Sequence, residues 1–320
     1  MNTQRDKPIL YLVIPCYNEE AALVKSSREL GEKIHSLIGS GKISEKSRVM
    51  LVDDGSTDKT WEFIARLHKA DLIFSGLRLS RNRGHQNALL AGLMTTRERA
   101  DVTISIDADL QDDINAVDEM IEKYSEGCEI VYGVRTTRRS DTAFKRFTAE
   151  SYYRLLRRLG GEIVFNHADY RLMSKTALNA LSQYGEVNLF LRGIVPMLGF
   201  KTDIVKYSRS ERVAGESKYT LRKMFNLAVE GITSLSLKPL RAIFWCGILS
   251  VLTVFFLLIA FLISCFVGEN PFYAWKTLLL VTILMGGLIL ISIGIVGEYV
   301  GKIYMETKRR PTYHISEILE

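Results

Sequence analysis

Between residues 9 and 135, short apolar runs take turns with amphipathic stretches. "ILYLVIP" (9–15), "RVMLVDDG" (48–55), "LIFSGLRLS" (72–80), "DVTISIDAD" (101–109) and "EIVYGVR" (129–135) are rich in Val, Ile and Leu. Pro, Gly or Asp bounds most of them, so they read as strands. The stretches between them, 19–38, 56–70, 84–100 and 114–127, carry apolar residues at helical spacing, with Ser56 or Thr57 as the N-cap of the second. Near-continuous apolar strands alternating with amphipathic helices imply the α/β class, a mainly parallel sheet covered on both faces. No internal repeat or low-complexity tract interrupts the pattern.

The pattern changes after residue 241. "AIFWCGILSVLTVFFLLIAFLISCF" (242–266) holds 25 residues without a charge, and "TLLLVTILMGGLILISIGIVG" (277–297) holds 21 more. Each is long enough to cross a hydrocarbon core of roughly 30 Å as a helix. One such run is compatible with a buried helix of a soluble protein; two in tandem, joined by "VGENPFY", read as a membrane hairpin. The division expected is a cytosolic catalytic domain (1–212), an amphipathic juxtamembrane segment (213–241), spans at 242–267 and 274–300, and a basic tail (301–320). Lys238 and Arg241 precede the first span, and Lys302, Lys308, Arg309 and Arg310 follow the second. The positive-inside rule therefore places both ends in the cytoplasm of a cell whose plasma membrane holds the protein. "MNTQRDKPILYLVIP" has too short an apolar run for a cleavable signal.

Composition narrows the partners. The formal charge of +6 suits a domain lying against anionic headgroups, and no basic-aromatic stripe or reader motif supports a nucleic-acid partner. The four cysteines, Cys16, Cys128, Cys246 and Cys265, form no CxxC pair and lack metal-ligand spacing, as expected of ordinary thiols in a reducing compartment. Gly286, Gly287, Gly294, Gly297 and Gly301 make a small-residue face suited to helix packing.

The chemistry concentrates at strand ends. In α/β sheets ligands bind beyond the carboxyl ends of the strands. Asp53 and Asp54 end the second strand, and "SIDADLQDD" (105–113) carries Asp107 and Asp109 off the fourth, with two further aspartates close behind. Carboxylates this crowded repel unless a cation lies between them. Neither G-x-G-x-x-G after the first strand nor G-x-x-x-x-G-K-[ST] occurs, so a nucleotide here is held through a metal. Hard oxygen ligands at a D-x-D suit Mg²⁺ or Mn²⁺.

"IPCYNEE" (14–20), "VDDGSTD" (52–58), "RNRGHQNALLAGL" (81–93), "DADLQDD" (107–113) and "YGVR" (132–135) occur in this order and resemble the inverting family-2 glycosyltransferases of the Rossmann-like GT-A fold. "DYRL" (169–172), "FLRG" (190–193), "AGESKY" (214–219) and the hairpin resemble more narrowly the polyprenyl-phosphate glycosyltransferases, among them the bactoprenol glucosyltransferases and, more distantly, dolichol-phosphate mannose synthase. The resemblance implies a UDP-sugar donor, a polyprenyl phosphate acceptor such as undecaprenyl phosphate, and Mg²⁺ or Mn²⁺. It also implies a homo-oligomer, with a tetramer as one candidate. It assigns Pro15, Tyr17 and Glu19 to the nucleoside pocket, Asp53 to the uracil N3–H with Asp54 beside it, and Arg81 and Gly84 to the nucleotide and diphosphate. Asp107 would face the ribose or sugar, and Asp109 and Gln111 would hold the metal. Arg135, supported by Arg138, Lys145 or Arg146, would meet the acceptor phosphate. Asp169 and Arg171 would close over the sugar, and Ser217 and Lys218 would form a loop over the diphosphate. "HADYRL" departs from the family at His167 and Tyr170, which touches sugar choice rather than the reaction.

A lipid phosphate is anionic at neutral pH, so it needs cations more than a general base. "DTAFKRFTAESYYRLLRRLGG" (141–161) interleaves apolar and basic residues in the manner of an interfacial helix, and 220–240 is similar. The expected reaction is transfer of one sugar, glucose or N-acetylglucosamine foremost, to the lipid phosphate. A hydroxyl acceptor for surface polysaccharide and a UDP-sugar-binding regulator are the alternatives. A processive synthase would carry Q-x-x-R-W and more spans, and a transporter would carry intramembrane charge; neither is present.

Overall fold

The computed structural model describes residues 7–136, 167–187, 190–208, 233, 237–267 and 274–320. The expected acceptor-phosphate residues Arg138, Lys145 and Arg146, the loop residues Ser217 and Lys218, and both candidate interfacial helices, save a few residues of the second, lie outside this set. The chain forms two compact units, one of which includes residues 310–320, the other comprising mainly 221–309.

The first unit is built on an eight-stranded sheet. Its strands are β1 (Leu10–Cys16), β2 (Arg48–Asp53), β3 (Phe74–Leu79), β4 (Val102–Ser105), β5 (Ile130–Arg135), β6 (His167–Ser174), β7 (Thr202–Tyr207) and β8 (Ile315–Leu319), in the order β7-β5-β6-β4-β1-β2-β3-β8. β1 runs parallel to β2 and β4, β2 to β3, and β5 to β7; β6 lies antiparallel between β4 and β5, and β8 is antiparallel to β3. The mostly parallel expectation holds for β1 to β4.

Helices cover both faces. They are α1 (Glu20–Gly39), α2 (Thr60–Ala70), α3 (His85–Thr96), α4 (Ala116–Ser125), α5 (Lys175–Leu181) and α6 (Leu191–Met197). β1 shows why its sequence is apolar throughout. Leu10, Leu12 and Ile14 pack into one core with Leu23, Ile34, Ile64 and Met120, while Tyr11 and Val13 pack into the other with Leu89, Leu93, Leu178 and Ile194. A strand buried on both faces has no solvent side on which to place polar residues. α2 begins later than expected. Ser56 and Thr57 do not cap it: Ser56 Oγ accepts the Asn18 N–H at 3.0 Å, and the Thr57 N–H donates to Asn18 Oδ1 at 2.9 Å.

Gly92 decides how close α3 lies. A Cβ there would stand 2.4 Å from Val13 Cγ1 and 2.7 Å from Val52 Cγ2, so only glycine lets the helix settle on β1 and β2. The stretch read as a basic tail contains β8, which continues the sheet beyond β3.

The second unit contains two long helices packed on each other, α7 (Lys238–Val267) and α8 (Ala274–Thr307). Their described apolar side chains, such as Phe244, Leu249, Leu284 and Ile291, face outward. Windows of 19 and 27 residues, Lys238–Phe256 and Val281–Thr307, are apolar enough to cross a membrane, and neither is buried in protein. Hydroxyls inside them bond back to the preceding turn: Ser250 to Cys246 O, Thr253 to Leu249 O, Thr282 to Leu278 O and Ser292 to Leu288 O, each at 2.8 Å. That satisfies the polar atoms within the helix, as an apolar surrounding requires. A Cβ on Gly286, Gly287, Gly294, Gly297 or Gly301 would touch nothing within 4 Å among the described residues.

Candidate active site

The turns after β1, β2 and β4 converge beyond the carboxyl ends of the strands. The turn after β1 is fastened to the turn after β2 through Asn18, which adopts a left-handed φ of 52°. The turn after β2 is in turn pressed against residues 81–84. Gly55, at φ +66°, lies so close to the Arg81 main chain that a Cβ would stand 2.5 Å from its carbonyl carbon. A side chain at Gly55 would pry these two loops apart.

The two aspartates of "VDDG" have different tasks. Asp54 accepts the main-chain N–H groups of Arg83 at 2.7 Å and Gly84 at 2.9 Å, and so holds the loop that leads into α3. Burial pushes its carboxyl above the ordinary value, against those two hydrogen bonds. Asp53 is fully buried; its Oδ1 accepts the Ser56 N–H at 3.0 Å. Among the described residues its Oδ2 makes no hydrogen bond, and the Arg78 Nε lies beside it at 3.3 Å. Pro15 is buried at the end of β1, Tyr17 is 44% exposed at the rim, and the Glu19 N–H donates to Thr60 Oγ1. Arg81 is exposed, and Gly84 takes φ +85° immediately before α3.

β4 stops at Ser105, so Asp107 and Asp109 stand on the turn beyond it rather than on the strand. Leu110 at φ 43° makes that turn tight, and the Gln111 N–H donates to Asp109 Oδ1 at 3.2 Å. Asp109 is exposed, whereas Gln111, expected as the second metal ligand, is only 5% exposed. Burial pushes Asp107 up from the ordinary carboxylate value, His85 pulls it down, and Asp169, Asp112 and Asp109 push it up again. The crowding expected from the sequence is therefore present in space.

Asp169 closes the arrangement. β6 pairs antiparallel with β4 and brings Asp169 next to Ser105, whose hydroxyl bonds to the Asp169 carbonyl. Two guanidinium groups and an imidazole surround its carboxylate. Arg171 Nη2 lies 3.0 Å from Oδ1, Arg192 meets both oxygens at 3.1 and 2.9 Å, and His85 Nε2 stands 3.6 Å from Oδ2 and 3.8 Å from Asp107 Oδ1. Although burial opposes it, Arg192, His85 and Arg171 hold Asp169 well below the usual carboxylate range. His85 responds in the opposite sense: burial acts against its charge, but Asp169 and Asp107 raise it above its ordinary value.

Two of the expected site residues are engaged by other side chains. Arg171, expected over the sugar, has a wholly buried side chain that pairs with Asp169 and donates to the Leu191 carbonyl at 3.3 Å. The partly exposed cation at that position is Arg192, from the "FLRG" stretch. Arg135 is engaged by Asp112, with contacts of 3.1 to 3.3 Å, and by the Tyr207 hydroxyl at 3.2 Å. His85 and Arg192 received no role from the sequence, though both lie inside stretches that marked the family.

Comparison with known proteins places this geometry. Residues 11–182 match the model of the glycosyl transferase family 2. An uncharacterised glycosyltransferase, YkoT, from Bacillus subtilis is 47% identical over 98% of this chain and 92% of its own. A bactoprenol glucosyl transferase from Shigella phage SfX is 40% identical over 95% of this chain and 97% of its own, and a prophage homologue in Escherichia coli K12 is 37% identical over 96% and 98%. With the ordered motifs, the mostly parallel sheet and matches of this extent, the chain belongs to the family 2 glycosyltransferases.

Proposed function

We propose that the protein transfers one sugar, glucose foremost, from UDP to a polyprenyl phosphate at the cytoplasmic face of a membrane, with inversion at the anomeric carbon. The observation that carries this reading is the match at 40% identity to a bactoprenol glucosyl transferase along 310 residues, through the sheet domain and the paired apolar helices alike. Two features of the site support the donor. Asp53 Oδ2 is a buried acceptor without a hydrogen bond, the kind of atom a uracil N3–H would complete. His85, in the first turn of α3, places its imidazole 3.8 Å from Asp107 Oδ1 and 3.6 Å from Asp169 Oδ2, at the helix end near which a diphosphate would lie.

Among the described residues no three His, Cys, Asp or Glu side chains are arranged around a metal position, but the donor chemistry of the turn after β4 fits a divalent metal. Asp107 and Asp109 are hard oxygen donors on one turn, and their mutual repulsion with Asp112 and Asp169 is the strain a cation relieves. Asp109, the exposed one, would hold Mg²⁺ or Mn²⁺. When bound, such an ion neutralises the charge that develops on the departing UDP. The chain's own residues do the rest. Asp169, fixed by Arg171 and Arg192, orients the sugar hydroxyls, and His85 lies between it and Asp107. A phosphate oxygen of the acceptor attacks the anomeric carbon from the face opposite UDP, forming the new C–O bond as the bond to UDP breaks. No proton need be removed from this nucleophile at neutral pH. Arg135 approaches the acceptor only if it leaves Asp112.

The topology proposed has the catalytic domain and both ends of the chain on one side. β8 follows both apolar helices yet hydrogen-bonds to β3, and a chain that leaves a sheet and returns to it crosses a bilayer an even number of times. The basic residues flanking the two helices agree.

The test is transfer from a panel of labelled UDP-sugars to undecaprenyl phosphate in detergent with Mn²⁺ or Mg²⁺, wild type beside Asp109→Ala. One donor should label the lipid, and chelator or the substitution should abolish the label. A folded protein that binds UDP but labels no lipid from any donor overturns the lipid-phosphate acceptor.

A further inference from the structure

Asp53, Arg78 and Glu317 stand in one row across three strands. Asp53 on β2 is the register partner of Arg78 on β3, and Arg78 is the register partner of Glu317 on β8. Side chains directly opposite in a sheet share a face, so the order is carboxylate, guanidinium, carboxylate. Arg78 Nε is 3.3 Å from Asp53 Oδ2 and leans on Trp61, with its Cζ 5.6 Å from the ring centroid. The Trp61 indole N–H donates to Glu317 Oε2 at 3.1 Å. The register shifts immediately after Arg78, as at a bulge that re-aims side chains, and Ser316 Oγ donates to the Arg78 carbonyl at 3.1 Å. Gly76 leaves room for β8, because a Cβ there would stand 3.2 Å from Leu319 Cδ1 and 3.3 Å from Trp61 Cη2.

From this row we infer that the strand arriving after the membrane hairpin is part of the donor site, with Glu317 and Trp61 as positioning residues acting through Arg78 on Asp53. The inference rests on the reading of Asp53 as the base-recognising carboxylate. Arg78 lies against Asp53 Oδ2, the carboxylate oxygen that Ser56 leaves without a hydrogen bond among the described residues. A base N–H arriving at that oxygen would share it with Arg78 or displace the guanidinium from beside it. On the far side of Arg78 the nearest strand offers Glu317, already oriented by the Trp61 N–H, as the carboxylate that receives the guanidinium. Donor binding thus depends on a segment beyond both apolar helices, and a chain ending before residue 315 would lack the receiving group.

The experiment uses the full-length protein in detergent and measures the dissociation constant of UDP by titration calorimetry, with KM for donor and acceptor and the melting temperature alongside. Glu317→Ala should weaken UDP binding about tenfold, the scale of one charge-assisted contact, and raise the donor KM while the acceptor KM stays put. Glu317→Gln, which keeps the acceptor for Trp61, should recover part of the loss. In an Arg78→Ala background Glu317→Ala should add nothing, because its effect passes through Arg78. Glu320→Ala is the control: it removes the Arg99 ion pair at the end of the same strand without touching the row. Unchanged UDP affinity in Glu317→Ala, a loss that persists in the Arg78→Ala background, or parallel losses in Glu317→Ala and Glu320→Ala with a lowered melting temperature would each overturn the inference. Wild-type protein that binds no UDP would remove the nucleotide reading itself, whereas UDP binding insensitive to Glu317 would remove only the row.

Discussion

Arg192 grips Asp169 with both arms of its guanidinium, Nε 3.1 Å from one carboxylate oxygen and Nη2 2.9 Å from the other. The pair joins the first turn of α6 to the β6 strand, and Arg171 completes it from within the core. A lysine cannot reproduce a two-point contact of this geometry. Arg192→Lys is expected to lower kcat at least tenfold, in keeping with lost orientation of the reacting groups, while the melting temperature changes little because Arg192 is partly exposed. Steady-state transfer assays and a thermal melt check both halves. Equal losses in kcat and stability would make Arg192 a structural residue instead.

His85 predicts a pH dependence whose sign follows from its neighbours. Asp169 and Asp107 raise its value above the ordinary 6.5, against burial. A group raised on folding contributes stability that is fully present below its unfolded value and is lost as pH rises through the folded one. The advantage of wild type over His85→Gln should therefore be largest below pH 6.5 and should shrink as pH climbs above it. Denaturation at a series of pH values measures this. In Asp169→Asn, an NMR titration of His85 should fall back toward the ordinary value.

Gly92 offers a test of packing. A methyl group there meets Val13 and Val52 at 2.4 and 2.7 Å, and neither valine has space to retreat in a core filled from both sides. Gly92→Ala should cost about 1–3 kcal/mol as overpacking. It should also weaken UDP binding, since α3 carries His85 and follows the loop held by Asp54. Urea denaturation gives the first quantity and calorimetry the second. A more stable Gly92→Ala would show that α3 can shift freely.

The metal prediction concerns binding directly. Titration of Mn²⁺ in the presence of UDP, followed by electron paramagnetic resonance, should show a bound ion in wild type and a loss of one to two orders of magnitude in affinity in Asp109→Ala. Gln111→Ala should have the smaller effect, since Gln111 is buried and Asp109 is exposed. An Asp109→Ala protein that binds Mn²⁺ as tightly as wild type would move the ligand role elsewhere in the acidic cluster.

Local order and composition were enough for the four parallel strands β1 to β4, for α1 to α4 within a few residues, and for the two apolar helices. Each depends on periodicity within ten to thirty residues, and burial on both faces enforces that periodicity chemically. The same holds for the acidic cluster at 107–113, whose crowding is legible because its members are neighbours in the chain. Tertiary structure alone decided which charges meet. His85, Asp169 and Arg192 converge because β6 inserts antiparallel beside β4 and α6 folds back, and nothing in "HADYRL" announces that pairing. Burial separated Arg171 from Arg192, although both are arginines in motif-bearing stretches. The last strand was the least legible. "ISEIL" is a run of only five residues that follows the two apolar helices, and it becomes a strand because β3 offers an unpaired edge whose N–H and C=O groups need partners. An edge is a property of the assembled sheet, so no window of sequence contains it.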